Sequence, residues 1–227
     1  MIIKKKSIYI FLVLLLVLII LLLRQNNVSK NMIPEISNNI NLIGQKNIYF
    51  GHRSVGENII SGVNKIISKE GRKVFVIKEL TSNSKIDENY FFHSNIGRNG
   101  DPKSKFKEFT DIVNNLANKN LEIAMMKLCF VDITKKTNIN EVFQSNVAMI
   151  DSLQNKYPRK YIFDLAGFES TYPSGKRESI VVNGELYYSL IKDYTDDGGH
   201  LNELGQQVIA SEFINKLVEI ITLKIQP

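Results

Sequence analysis

The chain has 227 residues, enough for one domain with a substantial core, and a globular composition biased towards Ile, Lys and Asn. Its formal charge of +6 belongs to the N-terminus: Lys4, Lys5, Lys6, Arg24 and Lys30 lie within residues 1–30, which hold no acid, so the remainder is close to neutral. That leaves no basic face suited to nucleic acid, and a single cysteine, Cys129, excludes an internal disulfide.

In chain order, residues 1–7 form a basic segment, and residues 8–23 form an unbroken apolar run. Sixteen residues fall slightly short of a typical membrane span, although Ser7 and the flanking polar groups can stretch it. Three lysines ahead of the run favour a cytoplasmic N-terminus and a translocated remainder. Arg24-Gln25-Asn26-Asn27 follows, without the small-residue pattern of a cleavage site. The expectation is a single-pass signal-anchor with an extracytoplasmic domain; cleavage would make the protein secreted. Residues 24–45, Asn-rich and containing Pro34, read as a linker with at most a short helix.

The domain is expected over residues 46–227. Residues 46–50 read as a first strand. Val55, Ile59, Ile60, Val63, Ile66 and Ile67 then mark one face of a helix ending near Gly71. A second strand is expected over 73–79, followed by a long polar stretch, 81–104. Phe106, Phe109, Val113 and Leu116 mark the next helix. Residues 122–131 are apolar nearly throughout, as a central parallel strand should be, and place Cys129 as a buried, inert thiol. A helix over Val142 to Leu153, a strand over 161–165 and a last helix from about Asn202 complete the pattern. Alternating strands and helices imply an α/β fold, with a parallel sheet between helices and ligands beyond the carboxyl ends of its strands.

Three polar stretches fall at such places, and they hold all three histidines. Gly51-His52-Arg53-Ser54 follows the first strand. Ser54 there is either an ordinary helix N-cap or a nucleophile whose developing charge the helix terminus favours. His93-Ser-Asn-Ile-Gly-Arg-Asn-Gly-Asp-Pro102 is either a backbone shaped for close approach or a cluster of turn residues. In Asp196-Asp-Gly-Gly-His-Leu-Asn-Glu-Leu-Gly205, Asp197 and His200 lie three apart. The spacing lets a carboxylate orient an imidazole base, as in serine hydrolases; the alternative is a surface turn.

A serine after the first strand, glycine and asparagine in a later loop, and Asp-x-x-His before the last helix resemble an SGNH (GDSL-like) hydrolase over roughly residues 46–220. The resemblance implies a three-layer α/β/α flavodoxin-like fold and a serine esterase. Ser54 would attack an ester carbonyl, His200 would take its proton and Asp197 would orient His200. The N–H groups of Ser54 and Gly97, with the Asn99 amide, would receive the oxyanion. Glu169, past a strand end, joins His52 and Arg53 as a further candidate for substrate contact.

The chain departs from the family in three ways. Gly51-His52-Arg53-Ser54 replaces Gly-Asp-Ser, Asp132 stands where the family has asparagine, and four strands are legible where five are usual. An ionised carboxylate cannot donate a hydrogen bond, so Asn99 takes that role or it is absent. The expected substrate is an ester-bearing small molecule or glycan, an O-acetyl group on an envelope glycan among them. No cofactor or metal is expected, because His52 and His93 lack a recognisable spacing partner. The alternative is a catalytically inactive carbohydrate-binding or scaffold module on the same fold.

Overall fold

The structure, a computed structural model, describes residues 38–69, 75–86, 89–153 and 161–223. The expected basic segment, membrane run and most of the linker lie outside the described residues. Among the described residues no helix is long and apolar enough to cross a membrane. The sheet, its helices and the hairpin all lie within residues 40–227.

Four parallel strands form the sheet: β1 (Ile48–His52), β2 (Ile77–Glu79), β3 (Phe91–Asn95) and β4 (Ile123–Met126), in the order β2-β3-β1-β4. After a short helical stretch over 38–43, the helices are α1 (Val55–Lys69), α2 (Pro102–Ala117), α3 (Ile139–Leu153), α4 (Leu165–Ser170) and α5 (Glu203–Leu223). All five residues of β1 are buried, as befits a central strand covered on both faces. Phe50 packs on Phe213 of α5, with ring centroids 5.3 Å apart, and α1 packs on α5. On the opposite face Tyr49 stacks on Phe109 of α2 at 5.9 Å, and α2 packs on α3. The chain is therefore α/β with helices on both sides of a parallel sheet, a layout consistent with the flavodoxin-like expectation.

Chain order places the site. β3 pairs with one edge of β1 and β4 with the other, so the chain changes direction across the sheet at the carboxyl end of β1, the usual place for a ligand crevice. Ser54 follows that end directly.

Several elements differ from the sequence reading. β3 lies inside the stretch read as a polar loop. Its polar residues are accommodated by buried partners: Ser94 meets the Tyr49 hydroxyl at 2.8 Å, and His93 meets His52 at 2.9 Å. β2 and β4 are shorter than expected. Residues 161–165 do not form a strand; Asp164 accepts from the Gly167 N–H at 2.9 Å and caps α4 instead. An antiparallel hairpin, β5 (Ser179–Val182) and β6 (Glu185–Tyr188), turns at Asn183 and Gly184, both at positive φ. The outer edge of β4 borders an apolar cleft of about 820 Å³ between α3 and α5, lined by Met126, Met149, Leu153, Phe163 and Phe213 among others.

Candidate active site

Ser54 occupies the turn between β1 and α1 at φ 54°, in the left-handed region that only glycine adopts without cost. A helix N-cap normally has extended backbone and a side chain that accepts from the first turn. Here the Ser54 hydroxyl faces His200 Nε2 at 2.8 Å instead. Its carbonyl accepts from the Glu57 N–H at 2.8 Å and so opens α1. Backbone strain of this kind persists only where the surroundings hold it.

The surroundings do hold it. Arg53 donates through Nε to the Ile96 carbonyl at 3.1 Å and through Nη2 to the Gly97 carbonyl, fastening the serine turn to the loop after β3. Cys129, buried as expected, donates from Sγ to the Arg53 carbonyl at 3.4 Å. Gly56 permits the tight start of α1, since a Cβ there would lie 2.3 Å from Cβ of the buried His52.

His200 Nδ1 lies 2.7 Å from Asp197 Oδ2. The carboxylate can only accept, so Nδ1 carries the proton, and in the neutral ring Nε2 offers its lone pair to the Ser54 hydroxyl. Asp197 Oδ1 accepts from the N–H groups of His200 at 2.7 Å and Gly199 at 2.8 Å. These two bonds, and then the His200 ring, hold the Asp197 carboxyl well below the usual carboxylate range. Asn58, one turn into α1, accepts from the Leu201 N–H at 3.3 Å and ties this loop to the helix that Ser54 begins. The Asp197 and His200 side chains are 57% and 54% exposed, which makes the site shallow and open. Phe130, 67% exposed, lies alongside Gly199 as an apolar wall.

The expected oxyanion donors separate. Among the described residues nothing accepts from the Ser54 N–H, which remains available. The Gly97 N–H does not, because it donates to Glu108 Oε2 at 2.7 Å; that expectation is corrected. Gly97 serves instead by its positive φ and close approach, as a Cβ there would lie 2.4 Å from the Lys105 backbone nitrogen. The Asn99 side chain is exposed, and its Oδ1 accepts from Lys105 Nζ at 3.1 Å, which leaves Nδ2 as the free donor.

Asp132 faces inwards. It is 1% exposed, accepts from Lys105 Nζ at 2.6 Å and Cys129 N at 2.7 Å through Oδ2, and accepts from Gly100 N at 2.8 Å through Oδ1. Removing one partner of such a buried pair typically costs about 3–5 kcal/mol. Asp132 therefore fixes the loop carrying Asn99, and its carboxylate is no failed substitute for an oxyanion donor. Sequence alone did not reveal this, because the partner, Lys105, sits within an amphipathic helix.

Of the remaining candidates, His52 is fully buried, and His93 and Glu57 lie beside it. Burial, followed by the charges of His93, Lys127 and Arg53, pushes His52 down to about 3. Glu169 is half-buried, its Oε1 has no partner among the described residues, and burial pushes its carboxyl up to about 7 against the opposing influence of Lys127. Asn58, Lys105, Asp132 and Phe130 were not singled out as positioning groups by the sequence, since each acts through contacts distant in the chain or through exposure.

No family model matches this chain, and no curated protein or solved structure matches it.

Proposed function

We propose that the protein is a serine esterase of SGNH type whose nucleophile, base and orienting acid are Ser54, His200 and Asp197. The observation that carries this reading is the contact of Ser54 Oγ with His200 Nε2 at 2.8 Å, made by a serine held at φ 54°. Proton transfer needs roughly this separation. An N-cap serine would not be expected to meet either condition.

Ser54 Oγ attacks the ester carbonyl carbon as His200 Nε2 takes the hydroxyl proton. Asp197 stays ionised and stabilises the imidazolium through Nδ1–H without taking the proton itself. The oxyanion is received by the Ser54 N–H and Asn99 Nδ2. When the intermediate collapses, His200 returns the proton to the leaving alcohol. Water then attacks the acyl-enzyme with the same base and restores the Ser54 hydroxyl.

An open, half-exposed triad suits an ester on the surface of a large substrate better than a buried small molecule. With the N-terminal apolar run as anchor, an O-acyl group on an envelope glycan, acetyl among them, is the substrate class we favour. The commitment of the Gly97 N–H to Glu108 is the one observation that favours an inactive binding module on this fold.

Hydrolysis of 4-nitrophenyl acetate by the detergent-solubilised full chain separates the two. The esterase reading expects Ser54→Ala to lower kcat/KM by about 10³-fold or more with unchanged folding. Equal rates for the two proteins would remove the mechanism.

A further inference from the structure

Behind the serine turn, three groups with lone pairs converge from separate elements. His52 ends β1, and His93 lies on β3 facing the same side of the sheet. Glu57 projects from the first turn of α1. His52 Nε2 is 2.9 Å from His93 Nδ1 and 3.8 Å from Glu57 Oε2, and the three ligand atoms all lie within 4.8 Å of one another. We propose that His52, His93 and Glu57 form a zinc site.

Donor type, spacing and access support it. Two imidazoles and a carboxylate are a common zinc set, with the fourth position left to water. Ligands at about 2.0–2.2 Å around a tetrahedral ion stand roughly 3.4 Å apart, so the observed separations bracket the requirement. The longest gap involves Glu57, whose side chain is 61% exposed and can swing inwards.

A shared proton bounds the affinity. In the hydrogen-bonded pair that proton lies between His52 Nε2 and His93 Nδ1, and both lone pairs must turn to the metal. Any proton displaced onto His52 Nδ1 arrives at a buried atom without a partner. Strong zinc sites give that second nitrogen an acceptor, so binding here is micromolar in character, weaker than in a structural zinc finger. The ion would join the ends of β1 and β3 to the start of α1, the frame on which Ser54 stands. The zinc site does not rest on the esterase reading.

The full-length protein, stripped with EDTA, is titrated with Zn²⁺ by calorimetry and with Co²⁺ by visible absorption. One saturable equivalent with the intense absorption of tetrahedral cobalt is expected. Glu57→Gln, a surface change, and His93→Gln should each weaken binding by about tenfold or more. His200→Ala should leave it unchanged. The site is ruled out by the absence of saturable binding, by affinity unaltered in Glu57→Gln, or by binding that disappears in His200→Ala.

Discussion

The two halves of the proposed catalytic machinery are built on opposite principles. The serine turn is strained and held from outside: Arg53 reaches across to the loop after β3, Cys129 pins the Arg53 carbonyl and Gly56 admits the buried His52 ring. The His–Asp loop is exposed and holds itself, with Asp197 accepting from the two N–H groups that follow it and from the His200 ring. Elsewhere in the fold a carboxylate is shifted the other way: hydrogen bonds drive exposed Asp197 down, whereas desolvation drives half-buried Glu169 up to about 7. The serine turn needs tertiary support because its backbone is costly, whereas the His–Asp loop rests mainly on its own hydrogen bonds, with Asn58 as a tie to α1.

The comparison breaks most visibly if the loop proves structural. Asp197→Asn keeps the shape and loses the charge, so kcat should fall by about 10³–10⁴-fold, the effect of mis-setting the histidine tautomer. Calorimetry should show a melting temperature close to that of the parent protein. Retained activity, or unfolding, would contradict a self-contained orienting loop.

The turn should respond in the reverse sense. In Gly56→Ala the new Cβ meets the stem of a ring already held against His93, with no flexible end to give way. Overpacking outweighs the helix-propensity gain, and a loss of about 2 kcal/mol is expected by denaturant titration. A neutral or stabilising effect would show that the turn is looser than its contacts imply.

The smallest effect concerns pH. Folding raises the Glu169 carboxyl from its ordinary 4.5 to about 7, so the folded state binds more protons in that interval. Its stabilising contribution is present below about pH 4.5 and disappears as pH rises through 7. Solvent screening of the half-buried side chain reduces the full linkage value, so Glu169→Gln should gain about 1–2 kcal/mol relative to the parent at pH 8 and almost nothing at pH 4, read from denaturant midpoints. An equal change at both pH values would remove desolvation as the cause.

The same contrast decides what the sequence disclosed. Asp197 and His200 were legible as a unit because their contact is local and the intervening glycines announce the turn. Ser54 was legible in place but ambiguous in role, because the deciding facts are a backbone angle and a partner 146 residues away. The role of Gly97 was misread because its N–H goes to Glu108, which sits in an amphipathic helix and carries no motif. β3 escaped because strand residues that pair polar groups in the interior break the apolar pattern. Tyr161-Ile-Phe-Asp-Leu165 has the length and apolar content of a buried strand, but its one polar residue, Asp164, is a helix cap. The β5–β6 hairpin was not read from the sequence, although it turns on an Asn183-Gly184 pair of the type such turns favour.

The central claim is that His200 activates Ser54 as a nucleophile. Intact-mass and peptide mass spectrometry after exposure to a fluorophosphonate probe tests it most directly. The account predicts one adduct, on Ser54, formed at least about 100-fold more slowly in His200→Ala. Folded protein that acquires no adduct, or labels equally fast without His200, would contradict it.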